Sequence, residues 1–299
     1  MKILILGSNG FVGKHILNFF VKKHNFEISA LNKEKTLNKK TCSLKANISL
    51  NSFKISKFKS LQFDLLIDCG WEGVFGSFKN SKKQNKNKIY TINLIKILKI
   101  CKIKSIISFG SQAEYGNHNT KINEKTFTKP VTLYGKIKLW KLNFLNNFCK
   151  KNKIRFVWFR IFSIFGPREN YEWLIPYTIN KLLKRKEVHL TQGSQKWDYL
   201  YIEDLVRAVY LATLDKRFNG IYNLASGKSY SISFIVKKIA KLLKSKETLL
   251  KFGSIDYQKK RTESMYANIN KINKLGWKPK LNLENGLKKT INYYKSFYK

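Results

Sequence analysis

Arginine is scarce in this chain. Seven of its 59 basic residues are arginines, and the first of them is Arg155. Acids are scarce too: 18 Asp and Glu leave a formal net charge of +41 over 299 residues. Such a charge would suit a nucleic-acid binder, whose cations release counterions from phosphates. The guanidinium groups that make bidentate contacts to phosphates and base edges are, however, few. The lysines are instead spread through the whole sequence among abundant Asn, Ile and Phe. The charge is therefore read as a solvated basic surface that helps attract an anionic substrate, with no nucleic-acid partner expected.

Cysteine is sparse, and long apolar runs are missing. Cys42, Cys69, Cys101 and Cys149 lie far apart with no CxxC pairing, which excludes a disulfide frame and a thiolate metal site. No metal is expected, and the thiols read as the reduced cysteines of a cytoplasmic protein. The opening MKILILG is broken by Gly too soon for a signal peptide, and no later uncharged run reaches spanning length. No membrane partner is expected. The hydrophobic fraction of 43% suits a globular chain with a large core.

The first forty residues read as strand, glycine turn and helix. KILIL (2–6) is a continuous apolar run, followed by Gly7-Ser8-Asn9-Gly10-Phe11-Val12-Gly13 and then Ile16, Leu17, Phe20 and Val21 at helical spacing. Gly7 permits the tight turn, Gly10 lets a backbone approach a pyrophosphate, and Gly13 allows helix to pack closely on strand. The helix N-terminus favours the negative charge. A dinucleotide is expected on Gly7, Asn9, Gly10, Phe11, Val12 and Gly13. The second strand, FEISAL (26–31), ends at Asn32-Lys33. An acid there binds the ribose 2′-hydroxyl of NAD. Neutral Asn32 and cationic Lys33 suit a 2′-phosphate, so NADP is favoured, with NAD the alternative.

Further strands are read at FDLLIDC (63–69) and KSIISF (104–109), with a helix around INLIKILKIC (92–101) between them. Alternating strands and helices predict an α/β fold with a doubly wound parallel sheet. The stretch GSQAEYG (110–116) breaks the apolar run SIISF with a polar cluster at the carboxyl end of a strand, where open parallel sheets bind ligands. In the next helix, Tyr134 and Lys138 stand at i and i+4 and share a face. A nearby ammonium favours the phenolate, so such a tyrosine can pass a proton.

The GxxGxxG turn, Ser111 after the fourth inferred strand, and Tyr134 with Lys138 in the following helix resemble the extended short-chain dehydrogenase/reductase family of nucleotide-sugar epimerases, dehydratases and reductases. The resemblance continues through FRIFSIFGPR (159–168), WDYLYIEDLVRAVYLA (197–212), IYNLASG (221–227) and KLGWKPKLNLENGL (274–287), nearly the whole chain. It implies a Rossmann sheet with a smaller C-terminal substrate lobe. The cofactor and catalytic domain is placed at 1–166, with later segments returning to it, and the lobe mainly at 167–299. Ser111 is implied to hydrogen-bond the reacting oxygen, and Tyr134 to be the general acid/base. Lys138 is implied to hold the ribose and lower the tyrosine pKa. Asn93 matches a helix asparagine that supports the site, and Ser163 stands where the family usually has Asn. Family members commonly dimerise through helices that include the Tyr134 one, so a homodimer is expected.

Nucleotide-sugar 4,6-dehydratases of this family carry Asp-Glu directly after the active-site Ser or Thr. Here those positions are Gln112 and Ala113, which cannot serve as that acid and base. GSQAEYG, with CGWEG (69–73) and QKWDYLYIED (195–204), most resembles CDP-abequose and CDP-paratose synthases, which reduce 4-keto-6-deoxy nucleotide sugars. A nucleotide-diphosphate sugar is the implied substrate, with a product that feeds surface polysaccharide assembly. Ser111, Gln112, Ser163, Lys196 and Arg261 are the candidate substrate contacts. Trp197, with Lys196 adjacent, stands where the family usually has Arg before Asp-Tyr, and Arg261 is the best remaining candidate for the pyrophosphate contact. A C4 epimerase with tightly held NAD stays open, as does a non-catalytic dinucleotide- or RNA-binding relative.

Overall fold

A computed structural model describes residues 1–34, 41–256 and 264–298. Contacts divide the chain into two compact units: 1–116, 127–161 and 206–222 in the first, and 117–126, 162–205 and 223–299 in the second. Against the expected 1–166 with later segments returning, and 167–299, the main run of the first unit ends at 161. Segment 117–126 belongs to the second unit because its strand Lys121–Ile122 pairs with Ser264–Ala267, and 206–222 returns to the first.

The first unit is built on a seven-stranded sheet. Five strands come in chain order: β1 (Lys2–Leu6), β2 (Glu27–Asn32), β3 (Cys42–Lys45), β4 (Leu65–Asp68) and β5 (Ser105–Ser111). Across the sheet the order is Gly220–Leu224, Arg155–Ile161, β5, β4, β1, β2, β3. Every pairing from Arg155–Ile161 to β3 is parallel, with Leu4 opposite both Ser29 and Leu66, and Ile107 opposite both Ile67 and Val157. Strand order reverses at β1, so the carboxyl ends of β1 and β4 flank the crevice where such sheets bind ligands.

Continuous apolar strands follow from burial on both faces. Leu4, Leu6, Leu66, Ile106 and Trp158 meet Tyr90, Leu94 and Ile97 of helix α2 (Lys86–Ile100) and Leu142 and Leu145 of helix α3 (Leu133–Lys151), forming one core cluster. Helix α1 (Phe11–Phe20) buries Gly13, Ile16, Leu17 and Phe20, and Phe19, Phe20 and Phe26 gather around the Tyr210 ring. The sequence reading misses β3. Its four residues are exposed or half-buried at the sheet edge, so CSLK carries no apolar run to betray it. Ser111 therefore ends the fifth strand in the chain, not the fourth.

In the second unit, Lys196–Tyr201 is central. It pairs in parallel with Ser163–Phe165 and Ser264–Ala267 and antiparallel with Ser229–Ser231. Buried Asp198 ties the IYNLASG turn down, accepting from Ser226 N at 2.7 Å, Gly227 N at 2.9 Å and Ala267 N at 3.2 Å. Asp204 accepts from Lys280 N and Leu281 N at 3.0 Å each. These two signature aspartates work as turn clamps. No helix among the described residues is long and apolar enough to cross a membrane.

Candidate active site

The glycine turn separates two kinds of glycine. A Cβ on Gly13 would stand 2.2 Å from Gly7 O, so α1 can approach β1 only without one. Gly7 has φ +69°, a left-handed conformation that strains any side chain. Gly10 is different: its Cβ would meet only Gly7 O at 3.4 Å. Nothing in the chain itself requires glycine there, whereas a phosphate lying against the backbone would. The first turn of α1 carries no acid, which leaves the positive end of its dipole to an anion. The residues present fit a dinucleotide.

A cleft of about 360 Å³ opens beside this turn, lined by Gly7, Asn9, Gly10, Asn32, Lys33 and, across from them, Ser49, Trp71 and Glu72. Two readings made at the end of β2 need correction. Asn32 is buried and turned into the glycine turn: its Nδ2 donates to Ser8 Oγ at 2.8 Å and its Oδ1 accepts from Asn9 N at 3.2 Å. It shapes the turn. Lys33, taken as a free cation for a 2′-phosphate, is paired with the Glu72 carboxylate, which also accepts from Ser49 Oγ at 3.2 Å. Partial burial raises the Glu72 pKa, but Lys33 more than offsets this and holds it below the ordinary value. Glu34 lines the same cleft. Glu72 is the residue the sequence reading missed, although it sits inside the quoted CGWEG.

Asn93 explains its place in α2. Its Nδ2 donates to Ile48 O at 3.0 Å and Leu50 O at 2.9 Å, fixing the loop whose Ile48 and Ser49 wall the cleft.

Ser111, Tyr134 and Lys138 come together at the carboxyl end of β5. Ser111 caps a short 3₁₀ turn over Gln112–Glu114, accepting from Ala113 N at 3.2 Å, while its own N–H donates to Glu114 Oε1 at 2.8 Å. Glu114 is wholly buried and is also held by Arg160 Nε at 2.8 Å and Trp158 Nε1 at 3.2 Å. The polar cluster after SIISF is thus a buried brace that aims Ser111. Helix α3 starts at its cap Thr132, which accepts from Gly135 N at 3.1 Å. A Cβ on Gly135 would come 2.4 Å from Ala113 O, so glycine lets α3 abut the serine turn.

Burial pushes the Tyr134 phenol up to about 12, with the neighbouring Ser111 hydroxyl opposing the rise and Glu114 adding to it. The expected lowering by Lys138 is absent, because the ammonium is engaged elsewhere. Its Nζ donates to Phe109 O at 2.7 Å and lies 3.9 Å from the Trp71 ring centroid. Burial, with Lys141 nearby, brings Lys138 down to about 7. Trp71 also meets Tyr134 edge-on at 5.6 Å. Beneath them Asp68 accepts from Lys141 at 2.6 Å, Ser108 at 2.6 Å and Tyr90 at 2.7 Å, a buried cluster that no local motif announced. The buried Trp71 Nε1 and Gln112 Oε1 have no hydrogen-bond partner, so a donor and an acceptor stand ready for a ligand.

The other candidates fall elsewhere. Ser163 opens its strand opposite Tyr199, and exposed Lys196 begins the central strand, both in the second unit. Arg261 lies outside the described residues. A larger hollow of about 530 Å³ lies around Lys150, Lys153 and Arg155, at the amino end of the sheet and away from every motif.

Comparison with known proteins gives the family and the fold. The family model described as the NAD dependent epimerase/dehydratase family matches residues 3–225. This chain belongs to that family. Its relatives in the family include a dTDP-D-glucose 4,6-dehydratase of Dictyostelium discoideum, 27% identical over 99% of this chain and 82% of that protein. A CDP-abequose synthase of Salmonella muenchen is 30% identical over 46% of this chain and 47% of that one. Among solved structures, the UDP-glucose 4-epimerase of Thermotoga maritima with UDP-glucose superimposes with a TM-score of 0.89 at 20% identity, covering 100% of both chains. The dTDP-glucose 4,6-dehydratase of Bacillus anthracis in complex with NAD gives 0.86 at 20% identity, over 99% of this chain and 97% of that one. The family's nucleotide-sugar enzymes thus include epimerases and dehydratases on this same fold.

Proposed function

We propose that this chain reduces the C4 carbonyl of a nucleotide-diphosphate 4-keto-6-deoxy sugar. The observation that carries the reading is Gln112-Ala113 directly after Ser111, on the turn that α3 abuts through Gly135: neither side chain can serve as the acid or base of dehydration. The Tyr134 phenol, buried in the same site, holds the proton that a developing C4 alkoxide would take.

The Gly7–Gly13 turn would hold a reduced nicotinamide dinucleotide, which when bound would supply hydride. Tyr134 gives its proton to the developing alkoxide, and Ser111 donates a hydrogen bond to the same oxygen. Placed proton transfer of this kind contributes about a hundred- to ten-thousandfold. Lys138, Trp71 Nε1 and Gln112 Oε1 orient ribose and sugar hydroxyls. The electron donor is a reduced nicotinamide dinucleotide.

A second reading, a C4 epimerase with tightly held NAD, draws support from Glu72, an acid in the cleft where NAD presents a hydroxyl. The two differ in net redox. With a panel of nucleotide 4-keto-6-deoxy sugars, the reductase consumes stoichiometric reduced dinucleotide, seen as loss of its near-ultraviolet absorbance, and mass analysis shows a product heavier by two hydrogens. Interconversion of two sugars with no absorbance loss would replace this proposal by the epimerase.

A further inference from the structure

We infer that Trp71, in the loop after β4, does for the buried Lys138 what a counter-ion would: its indole face holds the ammonium charged and in place, and its contact with Tyr134 sets the phenol beside it. Trp71 is then a positioning residue for the proton transfer. The inference rests on the proposed reaction for the use made of that pair, and on the geometry for the contact itself.

Lys138 is buried and forms no ion pair among the described residues. Its Nζ donates to a neutral acceptor, Phe109 O, at 2.7 Å. The carboxylates nearby are engaged by other groups: Asp68 by Lys141, Ser108 and Tyr90, and Glu114 by Arg160 and Trp158. A buried ammonium left without an anion is costly. What Lys138 does have is the Trp71 ring, whose centroid is 3.9 Å from Nζ. An indole face attracts a cation more strongly than other aromatic rings do, and more so where water is excluded. The same ring lies 5.6 Å from Lys141 Nζ and meets Tyr134 edge-on at 5.6 Å. Lys141 has its own carboxylate at 2.6 Å, so Lys138 is the ammonium that depends on the indole.

The ring is also held where it is. A Cβ on Gly70 would stand 2.1 Å from Tyr90 Oη, so glycine lets the chain pass flush against a tyrosine that Asp68 fixes at 2.7 Å. On the other side, Glu72 N donates to Asn87 Oδ1 at 3.0 Å, and Asn87 Nδ2 donates back to Glu72 O at 3.0 Å. Both neighbours of Trp71 are thereby pinned. Its buried Nε1 forms no hydrogen bond, so the indole is placed by its ring contacts. Tyr134 and Lys138 lie on one face of α3, and a single fixed ring touches both, which sets the phenol relative to the ammonium. A leucine there would fill space without offering the ammonium a negative face.

The test is a double-mutant cycle on the whole protein, which isolates the contact from packing. Wild type, Trp71→Leu, Lys138→Met and the double variant are unfolded in urea and followed by far-ultraviolet circular dichroism. Among the described residues, the charged and titratable groups facing Lys138 are Tyr134 and Lys141 on α3, Asp68 and Cys69 at the end of β4, and Glu114 after β5. Lys138, brought down to about 7, loses its charge between pH 6 and pH 9, while burial holds the protons on Cys69 and Tyr134. The remaining groups are common to all four proteins and cancel. At pH 6, Lys138→Met stabilises both backgrounds, and the gain in the folding equilibrium is about tenfold larger without the indole. At pH 9 the two gains agree within about twofold. Trp71→Phe, which keeps a ring face, stays closer to wild type than Trp71→Leu does. With a keto-sugar substrate, Trp71→Leu loses about tenfold or more in kcat, and Trp71→Phe recovers most of it. If Trp71→Leu does not fold, Trp71→Met takes its place in the cycle. Equal gains at pH 6, or an excess that persists unchanged at pH 9, overturn the inference, because packing alone gives either result. Coupling at pH 6 with undiminished kcat in Trp71→Leu overturns the positioning role. A wild type that shows the coupling but reduces no keto-sugar fails only the proposed reaction.

Discussion

At the residue scale the site turns on two buried groups whose hold on a proton burial shifts in opposite senses. Tyr134 holds its proton more firmly than a solvated phenol, because burial outweighs the opposing influence of Ser111. Tyr134→Phe removes only that hydroxyl, so turnover should fall by about a hundred- to ten-thousandfold while dinucleotide affinity is retained. Ser111→Ala should lose less, about 3 kcal/mol of transition-state stabilisation at most. Steady-state rates beside fluorescence titrations check both, and a Tyr134→Phe enzyme with normal turnover would remove the tyrosine from the mechanism. Lys138 presents the opposite case, an ammonium brought down to about 7. Between that value and the ordinary lysine value, the unfolded chain holds more protons than the folded one, so stability rises with pH across this window. Below about 7 the buried charge imposes its full cost. Lys138→Met should therefore raise the melting temperature most near pH 6, by the equivalent of a few kcal/mol, and the gain should shrink steadily towards pH 10. A gain independent of pH would show that Lys138 is not desolvated.

At the scale of elements, helices α1 and α3 do their work through what they place at their N-terminal ends. Along α3, Tyr134, Lys138, Lys141 and Leu145 form one buried stripe, polar beside the site and apolar beneath the sheet. The stripe lets one helix carry both chemistry and core. In α1 the two glycines should separate by experiment. Gly13→Ala puts a Cβ against Gly7 O, so it should cost a few kcal/mol in urea unfolding and abolish dinucleotide binding together. Gly10→Ala meets nothing closer than 3.4 Å, so it should fold normally and still lose about tenfold or more in affinity. Equal binding by Gly10→Ala would mean that no phosphate approaches that backbone.

At the scale of the whole molecule the dominant property is charge. A formal +41 spread over lysines sets up a field that draws in anions, and added salt screens it. For a nucleotide-diphosphate sugar, KM should rise several-fold as ionic strength goes from about 0.01 M to 0.15 M, where the screening length falls from about 30 Å to 8 Å. Turnover at saturation should stay nearly constant. A KM indifferent to salt would leave the lysine excess without a part in substrate capture.

What the sequence alone determined is what chain-local geometry determines. The Gly7–Gly13 turn, the shared face of Tyr134 and Lys138, and the apolar runs of β1, β4 and β5 follow from periods of a few residues, and they suffice for the family and the sheet. Only the tertiary structure decided which charges meet. Glu72 reaches Lys33, Asp68 reaches Lys141, and Glu114 reaches Arg160 because the sheet sets β4 beside β1 and β5 and brings their carboxyl ends together. No spacing rule along the chain encodes those partnerships. The same holds for Tyr134 and Lys138, whose positions were legible from i and i+4 but whose protonation was not. Burial decides it, and burial is a property of everything packed around them.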